Sequence, residues 1–129
     1  MDILPKATGG IGVVLEHRYY GSSTRPYIYP ERNQRRDTGA SVPVDNLSTD
    51  NLRWLDNEQS AADSAHFMRH VKFAGVERDV TAPHAPWIYY GGSYAGARAA
   101  HMRVLYPDIV YGAIASSGGC HAGRATRGC

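Results

Sequence analysis

An α/β fold with a parallel sheet is what this sequence predicts, and two observations carry it. Short apolar runs that read as strands alternate with stretches at helical spacing, and the connections between successive strands are long enough for crossovers. Strand, helix, strand, helix, strand is the order of a chain that lays its helices on the faces of a parallel sheet through right-handed crossovers. The composition suits a folded domain: 129 residues, 43% hydrophobic and 20% charged, values ordinary for a soluble globular protein.

The elements follow in order. Ile11 to Leu15, "IGVVL", is a β-branched run between a Gly-Gly turn and a polar stretch, and it reads as a buried strand. Asp56 stands where it can cap a helix, with Gln59 three residues on in support, and Ala61, Ala65, Met68 and Val71 follow at helical spacing. Pro86 and the run Trp87, Ile88, Tyr89, Tyr90 make the second strand. The glycine-rich turn from Gly91 to Gly96 leads into "ARAAHMRVLY", strong helix formers stopped by Pro107. Val110 to Ala115 is the third strand.

Two segments stand outside this pattern. Thr24 to Ser41 is polar, lacks periodicity and exceeds a usual connection, and the tail from Cys120 to Cys129 has no apolar pattern. The domain reading is therefore 1–119 with 24–41 inserted, followed by an irregular tail, 120–129. Three parallel strands also leave sheet faces and edges poorly covered, so the expectation is a piece of a larger α/β domain.

Several function classes find no support. A formal charge of +2 is too near neutral to argue for nucleic acid, and the cluster Arg32, Arg35 and Arg36 is interrupted by Asn33, Gln34 and Asp37, as in a solvated loop. No apolar run approaches the ~18 residues of a membrane span, and "MDILPKATGG" has neither the charged nor the apolar region of an export signal. Cys120 and Cys129 lack C-x-x-C spacing, and His66 and His70, although at i, i+4, have no third ligand, so neither metal nor cofactor is expected. The sequon at Asn46 makes that residue a glycosylation candidate only in a secreted protein.

Chemistry enters at Gly91-Gly92-Ser93-Tyr94-Ala95, a G-x-S-x-[GA] motif followed by Gly96. A nucleophile elbow needs a strand that delivers the serine to the sheet's C-terminal edge, a tight turn and a helix starting at once, and all three are predicted here. Gly91, Ala95 and Gly96 are small enough to let strand and helix approach closely while Ser93 takes an unfavourable backbone conformation with Oγ exposed. The helix N-terminus adds a dipole, and the N–H of Tyr94 is placed to donate to an oxyanion. Two other readings stay open. In a nucleotide-binding turn, Ser93 would stand where backbone must approach pyrophosphate, the acidic residue after the next strand is missing, and no P-loop lysine follows. The third reading is a plain strand-to-helix connection.

Three blocks then resemble one family. "EHRYYG" at Glu16–Gly21, Glu58-Gln59 with Asp63, and Gly91-Gly92-Ser93-Tyr94 are similar, in this order, to serine peptidases of the prolyl carboxypeptidase and dipeptidyl-peptidase II family in its fungal form. The resemblance covers roughly Lys6 to Ser23 and Val42 to Gly118. It implies an α/β-hydrolase domain with an inserted helical cap, and Ser93 as the nucleophile of acyl transfer, with a histidine as base and an aspartate to orient it. It also implies peptide substrates cleaved beside proline, as a carboxypeptidase or dipeptidyl-peptidase, in a secreted or lysosomal/vacuolar setting and without cofactor. The family's aspartate, histidine and cap fall outside this chain, and Thr24–Ser41 interrupts a place where "GSS" runs almost directly into "VPVDNLST". A retained intron or a genuine loop would each fit that interruption.

Within the chain, Asp108 precedes its strand and so belongs to the sheet end opposite Ser93. His17 and His121 follow strand ends but read as loop histidines. The sequence thus predicts a serine-type peptidase that is inactive as this truncated chain. An esterase or lipase of the same fold, or a non-catalytic fragment, is the alternative.

Overall fold

The structure is a computed structural model that describes residues 3–20, 41, 44 and 47–119. It divides into two compact units, Met1–Asp56 and Asn57–Cys129. Asn46, most of Thr24–Ser41, the arginine cluster, and the tail with Cys120, His121 and Cys129 lie outside the described residues.

In the first unit, helix α1 spans Ile3–Thr8. It ends at Gly9, whose φ of +64° glycine adopts without strain, and the Gly10 N–H then returns to the Pro5 carbonyl at 2.9 Å. The expected strand at Ile11–Leu15 does not form. A strand exists through its ladder, none of the described residues pairs with this run, and Val14 is 77% exposed. A 3-10 helix covers Thr49–Trp54. Among the described residues of this unit Tyr19 is the buried side chain, and its hydroxyl donates to the Asn51 carbonyl at 2.6 Å. Two hydrogen bonds bring Ser41 back to the same place: the Tyr19 N–H donates to the Ser41 carbonyl at 2.8 Å, and Ser41 Oγ donates to the Tyr20 carbonyl at 2.7 Å.

The second unit is a βαβ arrangement with one further helix. Helix α2 spans Asn57–His70, β1 Trp87–Gly92, α3 Tyr94–Leu105 and β2 Val110–Ser116. β1 and β2 pair in parallel, from Trp87 opposite Val110 to Gly92 opposite Ser116. A parallel pair requires a crossover, and α3 supplies it. The sheet has two strands among the described residues rather than the three expected, for the reason given at Ile11–Leu15.

Helix α2 begins one residue after Asp56 and buries Ser60, Ala61, Ser64, Ala65 and Met68, a stripe at helical spacing. Val71 was expected on this face but falls just past the helix end, half-buried, although its N–H still bonds the Phe67 carbonyl at 2.9 Å. Helix α3 buries Gly96, Ala99 and Met102 and stops at Leu105, two residues before Pro107, which disfavours helical backbone at Tyr106. The core gathers Ala61, Ala65, Met68, Ala82, Met102, Ile109 and Val110, with Trp87, Tyr89 and Tyr106 packed against it. Trp87 also ties the 71–86 connection to β1, since its indole N–H donates to the Val80 carbonyl at 2.8 Å. On the other sheet face, Ile88, Tyr90 and Ile114 are exposed. None of the helices among the described residues is long and apolar enough to cross a membrane.

Candidate active site

The centre of interest is the junction where β1 ends and α3 begins. Backbone approach is closest here. A Cβ added at Gly91 would lie 1.9 Å from the Ala95 carbonyl oxygen, and one at Gly96 would lie 2.3 Å from the Ser116 carbonyl oxygen. At Gly118 it would meet the Ala97 nitrogen at 2.8 Å, whereas at Gly92 it would meet nothing within 4 Å. Three of these glycines therefore pack strand, helix and the segment after β2 against one another, while Gly92 fills no such need.

Between them stands Ser93, with φ of 56° and ψ of −125°. A non-glycine residue with positive φ is strained and persists only where its surroundings hold it. Its N–H donates to the Ser116 carbonyl at 2.9 Å, and its own carbonyl accepts from Gly96 at 2.8 Å and Ala97 at 3.1 Å. Serine at a helix N-cap ordinarily turns its hydroxyl onto the first-turn N–H groups. This one makes no side-chain capping bond and is exposed. The backbone twist points to the reason, since the extended conformation that lets an N-cap side chain fold back is not the one Ser93 adopts.

Tyr94 opens α3, among the N–H groups that a helix leaves outside its own ladder. Its side chain leans on α2, where the hydroxyl donates to Asn57 Oδ1 at 2.6 Å. One turn further along, Arg98 lies half-buried beneath the junction. Its Nε donates to the Tyr89 hydroxyl at 3.1 Å, and its other nitrogens donate to Ser60 Oγ, the Ser60 carbonyl and, at 3.2 Å, Ser64 Oγ. Sequence reasoning passed over Arg98, Ser60, Ser64 and Asn57. The signal that could have found the two serines is their i, i+4 placement beside Ala61 and Ala65, which sets two hydroxyls on the buried face; no local pattern marks Arg98 or Asn57.

Asp108 lies at the other end of the sheet. It precedes Val110, which pairs with Trp87, whereas Ser93 follows Gly92. It helps line a cavity of about 390 Å³ at that end, with Pro83, Pro86, Arg103, Pro107 and Tyr111, distinct from the junction. His66 and His70 are exposed on α2 and stack with ring centroids 4.2 Å apart, while His70 Nδ1 meets the His66 carbonyl at 2.8 Å. Among the described residues no three metal-ligating side chains come together. His17 belongs to the first unit, where its Nδ1 meets the Arg18 carbonyl at 2.8 Å.

Comparison with known proteins follows the same segment. Residues 33–123 match the family described as Serine carboxypeptidase S28. A protein of Arthroderma benhamiae named "Probable extracellular serine carboxypeptidase" is 45% identical over 116 residues, covering 89% of this chain and 14% of its own length. "Serine protease vicPa" of Bipolaris victoriae is 33% identical over 115 residues, covering 88% of this chain and 18% of its own. The human "Thymus-specific serine protease" is 30% identical over 114 residues, covering 88% and 18%. The chain thus spans less than a quarter of the length of these relatives. The family match takes in Ser93 together with α2, β1, α3 and β2 on either side of it, and the chain belongs to the serine carboxypeptidase S28 family.

Proposed function

We propose that this chain is the nucleophile-bearing segment of a serine peptidase, with Ser93 as the nucleophile. One observation carries the reading: Ser93 is held at φ of 56° between a parallel strand and a helix, exposed and without a capping bond. A serine serving only to start α3 would gain from the capping bond and from relaxed backbone, and this one has neither. Gly91 and Gly96 provide the close approach that such a turn demands, and the surrounding fold would be an α/β-hydrolase.

In this mechanism Ser93 Oγ attacks the scissile carbonyl carbon as a histidine removes its proton. The tetrahedral oxyanion accepts a hydrogen bond from the Tyr94 N–H, the amine leaves with the proton, and water then hydrolyses the acyl-enzyme. On this reading the base and its orienting acid are the histidine and aspartate that the family resemblance implies, and the chain hydrolyses little without them; among the described residues no imidazole or carboxylate bonds Ser93 Oγ. The relatives' names support peptide substrates and an extracellular setting, and the resemblance in the three sequence blocks favours cleavage beside proline. Expression of the complete open reading frame tests the reading. Turnover of proline-containing peptides should be lost in Ser93→Ala, and Ser93 should be the residue labelled by a fluorophosphonate. Turnover that survives Ser93→Ala overturns it.

A further inference from the structure

We propose that Arg98 is a positioning residue for Ser93, an inference that rests on the reading of Ser93 as nucleophile. The guanidinium gathers three elements at one point. Tyr89 lies on β1 four residues before Ser93, Arg98 lies on α3 five residues after it, and Ser60 and Ser64 lie on the buried face of α2. Arg98 bonds all three partners, Ser64 Oγ also stands 3.4 Å from the Tyr89 hydroxyl, and Ser64 Oγ donates to the Ser60 carbonyl at 3.3 Å. The strand entering the turn and the helix leaving it are therefore clamped to the same helix through one planar group.

The chemistry of the clamp argues for geometry over charge. Every acceptor of Arg98 among the described residues is a hydroxyl or a carbonyl, and none is a carboxylate. Taking a cation half out of water without an opposite charge is unfavourable, and an apolar side chain of similar length would fill the space at lower cost. What the guanidinium supplies is a rigid fork of donors that fixes three partners in one plane, which a lysine's single ammonium does not reproduce. Tyr94, the residue after Ser93, adds a second tie through its bond to Asn57 at the start of the same helix. Ser93, strained as it is, stays in place because its neighbours over-determine it, and a displacement of about 1 Å at a nucleophile costs roughly 100-fold in rate.

The test uses the complete polypeptide carrying this segment, with Arg98→Lys, Arg98→Met and Tyr89→Phe compared on a proline-containing peptide. Folding is checked by thermal unfolding. Arg98→Lys should lower kcat by about 10- to 100-fold with KM within about twofold of the parent, and Tyr89→Phe should lower it in the same direction by a smaller factor. If the Arg98 variants do not fold, Tyr89→Phe, which keeps the ring, decides alone. Folded variants with kcat within about twofold of the parent overturn the proposal. If the parent itself shows no Ser93-dependent turnover, the peptidase reading fails, and amide exchange in the 129-residue chain then decides the positioning. In Arg98→Lys the Ser93 and Gly96 amides should exchange at least about 10-fold faster relative to those of Tyr106 and Val110, and an unchanged ratio overturns the clamp.

Discussion

The Ser93 N–H donates to the Ser116 carbonyl at 2.9 Å, so the last ladder bond of the sheet is made by the strained residue itself. Sheet register and the position of the serine are thus one constraint. Anything that shifts β2 along β1 moves Ser93, and anything that relaxes Ser93 loosens the end of the sheet.

Relaxing that residue should stabilise the fold. Glycine accepts positive φ without strain, so Ser93→Gly should gain roughly 1 kcal/mol, the released strain of about 1–3 kcal/mol offset by greater unfolded-state freedom. Urea denaturation reads the change in midpoint, and if Ser93 is the nucleophile as proposed, the same variant should lose all Ser93-dependent peptide turnover. A lower midpoint than the parent would contradict the strain argument.

The glycines should respond very unequally to a single methyl group. Gly91→Ala and Gly96→Ala each drive a Cβ into a backbone carbonyl, at 1.9 Å and 2.3 Å, and should cost more than about 3 kcal/mol or prevent cooperative unfolding. Gly92→Ala meets open space and should stay within about 0.5 kcal/mol of the parent. Denaturant midpoints of the three variants test the ordering.

Removal of Thr24–Ala40 should leave the fold intact. Ser41 is bonded to Tyr19 and Tyr20, so the described residues on either side of the segment already meet at one place and a much shorter connection suffices. The amide spectrum of residues 57–119 should overlay on that of the parent, and widespread shifts would show that the segment supports the second unit.

One carboxylate should titrate below its usual range. Asp79 Oδ1 accepts from the Thr81 N–H at 2.9 Å and from Thr81 Oγ1 at 2.7 Å; the backbone bond is the larger cause of its lowered pKa and the side-chain bond the second. Because the folded pKa lies below the unfolded one, the stabilisation is present above the ordinary carboxylate pKa and fades as pH falls through the folded value. Thr81→Ala should move the Asp79 titration upward when followed by carboxyl NMR shifts.

Much of the junction was legible in the sequence because sterics there depend on residue size alone. Gly91, Ala95, Gly96 and Ser93 announce a tight turn wherever they follow an aromatic strand and precede an alanine-rich helix, and Ala61, Ala65 and Met68 mark the inner face of α2 by spacing. Ile11–Leu15 misled because a β-branched run states a preference, whereas a strand requires a partner. Arg98 was illegible for a different reason: its role depends on hydroxyls 34 and 38 positions away, and no local pattern expresses such a meeting. Gly92 reads like its neighbours in sequence, and only the open space beside it separates them.

The contact of three bare backbones at Gly91, Gly96 and Gly118 also limits what this protein's descendants can become. Beneath the serine every one-step codon change from glycine adds atoms where none fit, so the floor of the site is closed to gradual remodelling. Change would have to come from groups outside this contact, while the junction itself passes unchanged from one variant to the next.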